Sequence, residues 1–250
     1  MSIFWALLRR ELSAFFFSLT GYLIIAVVTL LTGYNFVVLV QKLGTDPATM
    51  PLTEMFFSSY FFWLILLLVP PVITMRLFAL EKASGTFETL MTTPVSDVQV
   101  VAAKFVAALI FYLVAWLPLL ACLFLMQHFA RQSSTLDAGT VGGMYLGIFL
   151  TGGLFLSLGC FASSLTRSQM ASAIISFAGG VGLFSLAYLA KGVPVNDPER
   201  PQVLAYFNLF DQVDDFTRGV VDSRAVIFYA TAAFLFLFLT LRVVESRRWK

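Results

Sequence analysis

Six uninterrupted apolar runs, at residues 19–40, 55–75, 105–126, 140–163, 170–190 and 226–241, restrict this chain to one kind of environment. Each approaches or exceeds the roughly 20 apolar residues that carry a helix across a hydrocarbon core of about 30 Å. None contains Asp, Glu, Lys, Arg or His. Their apolar character is continuous, whereas strands of a membrane barrel alternate between lipid and lumen, so the runs are expected to be helices. Composition agrees: 59% of residues are hydrophobic and 12% charged, against about 45–50% and 25% in a soluble domain. The expected fold is an all-α polytopic membrane protein with six transmembrane helices, forming a single transmembrane domain over residues 1–250.

The flanking charges orient these spans, because Lys and Arg accumulate in cytoplasmic loops. With the amino terminus inside, Arg9, Arg10, Arg76, Lys82, Lys104, Arg167, Arg242, Arg247, Arg248 and Lys250 share the cytoplasmic side. Most carboxylates fall on the other side. Both termini are therefore expected in the cytoplasm. The net charge of +2 carries no nucleic-acid signature, and the lipid membrane is the partner that composition implies.

Residues 1–17 read as an interfacial amphipathic helix carrying Arg9 and Arg10, with Phe4, Leu8, Leu12 and Phe15 on one side, Arg9 and Ser13 away from it and Trp5 as an anchor at headgroup level. The apolar run after Arg9-Arg10 is longer than an export-signal core, and no small-residue cleavage pattern follows it, so an uncleaved first span is expected. Pro70-Pro71 removes two backbone donors near the end of the second span, where a break or kink is expected.

The loop at 76–98 is punctuated by helix signals. Glu81-Lys82-Ala-Ser-Gly85 reads as a helix end, and Thr86 to Met91 as a short helix with Phe87, Leu90 and Met91 on one stripe. Glu88 lies in its first turn, where the helix dipole favours a carboxylate. Pro94 stops it, and Ser96-x-x-Gln99 is a capping box for the next helix. A second box, Thr166-x-x-Gln169, is expected to start the fifth span. Small residues crowd spans four and five, including Gly143, Gly147, Gly152, Gly153, Gly159, Gly179 and Gly180, and suit close helix packing. The outer loop, 191–223, places Phe207, Phe210, Val213, Phe216 and Val220 at helical spacing, with Gly219 set to end a helix. An outer re-entrant helical loop is expected there.

Catalytic chemistry has little raw material. His128 is the one histidine, no metal-ligand cluster accompanies Cys122 and Cys160, and no phosphate-binding loop motif occurs. No metal or cofactor is expected on this chain, nor enzymatic activity of its own. The spans lack the buried ionisable groups that ion-coupled transporters commonly use. Energy for any movement would have to come from elsewhere.

The run Glu81-Lys82-Ala-Ser-Gly85-Thr86-Phe87-Glu88-Thr-Leu90-Met91-Thr92-Thr-Pro94, with Lys104 opening the third span, resembles the loop between the second and third spans of ABC-2 type transporter permeases. Met75-Arg76, Arg218-Gly219-Val-Val-Asp222 and the basic tail look most like the gliding-motility-associated subgroup. The resemblance covers essentially the whole chain. It implies a permease of the bacterial inner membrane, paired with a second copy or a paralogue and with two cytoplasmic ATPase subunits that hold ATP and Mg. Some relatives add an extracytoplasmic auxiliary subunit. It further implies that the short cytoplasmic helix couples to the ATPase, with Phe87, Leu90 and Met91 filling a groove and Glu81, Lys82 and Glu88 orienting the contact; Gly85, Thr86 and Pro94 belong to the same motif. Two other readings remain open: a non-transporting scaffold of an envelope or motility complex, and an ion-coupled secondary transporter.

Overall fold

The structure is a computed structural model that describes residues 3–45, 52–86, 95–129, 138–192 and 207–246. Helices α1 (Ile3–Phe16), α2 (Leu19–Thr45), α3 (Leu52–Phe57), α4 (Tyr60–Thr74), α5 (Ala79–Ser84) and α6 (Asp97–Ala115) come first. They are followed by α7 (Leu117–Phe129), α8 (Ala138–Leu165), α9 (Gln169–Gly192), α10 (Leu209–Thr217) and α11 (Ser223–Ser246). Every regular element among the described residues is helical, and six stretches are long and apolar enough to cross a membrane: Leu19–Lys42, Tyr60–Ser84, Asp97–Leu125, Gly139–Leu165, Gln169–Gly192 and Ser223–Ser246.

Helix α8 is the centre of the bundle and packs against α4, α6, α9, α10 and α11. Its most apolar stretch is 83% buried, against 11% for α11. Glycine makes this centrality feasible. A Cβ on Gly152 would lie 2.1 Å from the Tyr112 ring, and one on Gly159 would lie 2.1 Å from Thr74 Oγ1. Gly143, Gly147, Gly152, Gly159, Gly179 and Gly180 therefore serve close packing, as expected, whereas Gly153 faces open space. The outward faces of α2, α9 and α11 expose Leu23, Leu30, Ile174, Leu189, Ile227 and Phe234. An apolar exterior needs no aqueous cover in a chain that spans lipid.

Several boundaries differ from the sequence expectation. The helix that carries the third span begins at Asp97, where the Ser96 capping box sets it, but it breaks at Trp116 between α6 and α7, inside the run read as continuous. Pro118 lacks an N–H, which favours a fresh helix start there. The carbonyl oxygen of Trp116 accepts from Leu119 N at 3.1 Å and from the Tyr145 hydroxyl at 3.0 Å.

Pro70 and Pro71 do not interrupt α4. Their carbonyls still accept hydrogen bonds, from Thr74 Oγ1 to Pro70 O at 2.8 Å and from Met75 N to Pro71 O at 2.9 Å. Membrane helices tolerate the missing donors where neighbours pack around them. The chain turns after Thr74 instead. Ser96 caps α6 as expected, its Oγ accepting from Gln99 N at 3.4 Å. The cap of α9 is Ser168 rather than Thr166, because Ser168 Oγ accepts from Ala171 N at 3.4 Å, the donor three residues into the helix.

At the end of the bundle opposite the described termini, α10 lies across α8, α9 and α3. Asn208 accepts from Asp211 N to cap it, and Gly219 ends it at φ +78°. Leu209, Val213 and Phe216 are buried, whereas Val220 is exposed, contrary to the expected stripe. The positive φ of Gly219 takes the backbone off the helical path, so Val220 cannot continue its face. Gly143 and Gly147 receive Phe216: their added Cβ atoms would lie 2.6 Å from its carbonyl oxygen and 3.1 Å from its Cβ. Arg218 holds Glu54 bidentately, at 3.1 Å from Nε and 2.6 Å from Nη2, and Thr53 Oγ1 donates to Thr217 O at 2.9 Å.

Candidate functional site at the basic end of the bundle

The apolar face of α1 carries one acid. Leu8, Glu11 and Phe15 are its buried residues, at the three- and four-residue spacing of one helical face. Phe15 stacks on Phe111 of α6, with ring centroids 5.0 Å apart, and Phe16 meets the same ring edge-on at 5.4 Å. That docking brings Glu11 to Lys104, seven residues before Phe111.

Lys104 is 2% exposed. Its Nζ lies 3.0 Å from Glu11 Oε1 and 2.9 Å from Glu81 Oε1, with the Phe78 ring centroid 5.6 Å away. Arg10 Nη2 completes the cluster, 2.7 Å from Glu11 Oε1 and 3.0 Å from Glu81 Oε1. Burial alone would lower the Arg10 pKa, but Glu11 and Glu81 outweigh it and hold it above the ordinary arginine value. Two cations and two carboxylates thus join α1, α5 and α6. An ammonium this deeply enclosed is retained only because both carboxylates reach it.

The short helix α5, which carries Glu81 and Lys82, is also pinned to the end of α8. Ser163 Oγ accepts from Phe78 N and Ala79 N, both at 3.1 Å, and so satisfies donors at the start of α5. Lys82 Nζ donates to Ser164 O. Arg76, in the turn before α5, donates to Thr20 Oγ1 at the start of α2. Gly85 ends α5 in the left-handed conformation at φ +76°, a conformation open to glycine without a Cβ penalty.

Of the residues that the sequence pointed to, Glu81 and Arg10 meet in the ion-pair cluster, and Lys82 lies beside it on α5. Gly85 and Thr86 mark the exit from α5, where Thr86 Oγ1 and Ser84 Oγ are 2.8 Å apart. Arg9 is exposed on α1, as is Trp5. Phe87, Glu88, Leu90, Met91 and Pro94 lie outside the described residues.

The sequence reading did not select Glu11 or Ser163; it noted Arg76 only as a cytoplasmic cation and in the subgroup resemblance, and Lys104 only as a cytoplasmic cation and the residue opening the third span. For Glu11 a signal was present: an acid between Leu8 and Phe15 on an otherwise apolar face requires a cation. Nothing local marked Ser163 as the acceptor for α5.

Six apolar crossings with their described ion pairs gathered at the two ends of the bundle define a multi-pass transmembrane protein. A family model described as ABC-2 family transporter protein matches residues 8–182, well over half of the chain, and the protein belongs to that family. No curated protein matches the chain. The matched region contains most of α1, the Glu11–Glu81–Lys104 cluster, the first four spans and the first half of the fifth. As a member, the chain is a permease-type membrane component of an ABC transporter.

Proposed function

We propose that this chain is the permease subunit through which a separate cytoplasmic ATPase drives a substrate, or mechanical work, across a bacterial inner membrane. The observation that carries the reading is the four-residue ion-pair cluster. It fastens the start of the 76–98 loop, through Glu81, to Lys104 just beyond its end, and both to α1. Force applied to the loop would reach α4 through α5, α6 through Lys104 and α8 through Ser163 and Ser164. That is the mechanical arrangement a coupling loop requires.

In this reading two ATPase subunits hold ATP and Mg and perform the hydrolysis. Phe87, Leu90 and Met91 enter a groove on one of them, and Glu88 and Lys82 orient the contact. A second permease copy or a paralogue completes the membrane unit, α1 lies in the cytoplasmic interface, and both termini are cytoplasmic. The outer helix α10 offers a surface for an extracytoplasmic auxiliary subunit, and assignment to the gliding-motility-associated subgroup belongs to the same proposal.

Affinity purification from native membranes, followed by ATP hydrolysis assays in nanodiscs, tests the reading. The expected result is recovery of an ATPase whose association is lost in Phe87→Asp/Leu90→Asp while the chain still inserts. Intact chain without an ATPase partner would overturn it.

A further inference from the structure

Beside the ion-pair cluster is a cavity of about 270 Å³, and its lining is amphipathic. Arg10, Arg76 and Lys104 supply three positive charges and Glu11 and Glu81 two negative ones, while Phe15 and Leu80 contribute an apolar wall. The two carboxylates are engaged with Lys104 and Arg10 through their Oε1 atoms. Arg76 differs. Its hydrogen bond goes to the neutral Thr20 hydroxyl, and among the described residues no carboxylate lies within ion-pair distance of it. It is half-buried, so this uncompensated charge has given up part of its water. Such a guanidinium favours a planar or tetrahedral oxyanion that takes two of its donors.

The depth of the cavity decides where that anion comes from. The third candidate span, Asp97–Leu125, has 29 residues, about 43 Å of helix at 1.5 Å per residue across the break at Trp116. A hydrocarbon core of about 30 Å accommodates roughly 20 of them. The surplus is polar at the end where Asp97, Gln99 and Lys104 occur and apolar from Phe105 onward. Lys104 therefore stands at the boundary between hydrocarbon and headgroups, with Arg10 and Arg76 beside it. A ligand at that level meets charge on one wall and aromatic or aliphatic surface on the other, as a phospholipid does at its glycerol and phosphate.

We propose that the cavity between α1, the Arg76 turn and α6 binds the phosphate of a phospholipid headgroup, with Arg76 as its principal contact, Arg10 as a second, and the acyl chains leaving along Phe15 and Leu80. The ligand would bridge α1 to the turn that precedes α5, adding a lipid to the joint already made by Glu11, Glu81 and Lys104. The site requires the membrane-spanning fold and not a cytoplasmic ATPase, so it stands or falls apart from the coupling role.

The test is native mass spectrometry of the full chain, delipidated in mild detergent and titrated with phosphatidylglycerol. One phospholipid is expected to be retained by the wild type. Arg76→Gln is expected to weaken retention about fivefold, the effect of one cation at a membrane surface. Arg76→Lys is expected to keep most of the binding, as is Thr20→Val, which removes the hydrogen bond but not the charge. Arg242→Gln, which removes a cation elsewhere at the same end of the bundle, is expected to change nothing. Equal retention by wild type and Arg76→Gln would overturn the site, and so would equal losses in Arg76→Gln and Arg242→Gln. Thermal stabilisation by inorganic phosphate without lipid retention would overturn the lipid assignment in favour of a soluble phosphate.

Discussion

The ammonium group of Lys104 lies 2.9 Å from Glu81 Oε1, and these two residues stand near the start of the 76–98 loop and just after its end. The described ends of the loop therefore meet at a single electrostatic joint. Glu11 of α1 shares the same lysine at 3.0 Å, so a helix that precedes the first span is part of the joint. Three elements distant in sequence are held by one enclosed cation.

Removing that cation is expected to cost more than the Coulombic attraction it supplies. Lys104→Met leaves Glu11 and Glu81 to share the half-exposed Arg10 as their one remaining cation among the described residues, and breaking a buried pair this way costs about 3 kcal/mol. Thermal unfolding of the purified chain in detergent should show the loss. The double variant Lys104→Met/Glu11→Gln should recover a large part of it, because one stranded carboxylate is neutralised. An additive or worse double variant would mean that Lys104 acts through packing alone.

The neighbouring glycines Gly152 and Gly153 separate packing from mere helix propensity. A Cβ at Gly152 would lie 2.1 Å from the Tyr112 ring, whereas one at Gly153 would meet nothing within 4 Å. Tyr112 is fully buried, so its ring has little room to withdraw. Gly152→Ala is expected to destabilise the bundle by about 1–3 kcal/mol, the usual cost of overpacking. Gly153→Ala is expected to be neutral or slightly stabilising, since alanine is the better helix former. Melting temperatures of the two variants under identical conditions provide the comparison.

The parts of the fold that were legible in the sequence are those governed by local chemistry. Continuous apolar runs marked the six crossings, Ser96 marked the start of α6, and Gly85 and Gly219 marked helix ends because positive φ is costly to other residues. Helix α10 was legible up to Phe216; extending its stripe to Val220 failed because Gly219 redirects the chain in between. Thr166 and Ser168 are chemically equivalent caps two residues apart, and only the backbone path selects Ser168. Lys104 was placed just outside the span because an ionised side chain in hydrocarbon is costly. Its pairing with Glu11 and Glu81, 93 and 23 residues away, was not legible, because no local pattern carries a juxtaposition of that kind. The same holds for Ser163, whose value lies in two backbone donors from another helix.

At the other end of the bundle, Arg218 is the peg that holds α10 to α3 through Glu54. Glu54 is 5% exposed, so Arg218→Gln strands its carboxylate and should loosen both helices. Hydrogen exchange of α10 amides is expected to accelerate in that variant while exchange in α8 stays slow. Adding Glu54→Gln should restore much of the protection by removing the stranded charge. Unchanged exchange in Arg218→Gln would mean that Phe216 in the cleft beside Gly143 and Gly147, with the Thr53–Thr217 hydrogen bond, secures α10 without the ion pair.

Asp214 supplies a pH-dependent test of the same helix. Its carboxyl is held above the ordinary aspartate value, chiefly because burial penalises the charged form; Lys191 and Arg218 act against the shift, while Glu54 and Asp211 add to it. The folded chain therefore binds this proton more tightly than the unfolded chain does. Folding stability from Asp214 rises as pH falls through its raised pKa toward the ordinary value near 4, and is lost as pH climbs back. Asp214→Asn mimics the protonated form at every pH. The variant is expected to melt above wild type at pH 7, with the gap closing on acidification as the wild-type carboxyl takes up its proton. Asp215→Asn is expected to show a weaker version of the same trend, because Asp215 is more exposed. A gap that stayed constant with pH would place the benefit in the amide's own hydrogen bonds and not in relief of a buried charge.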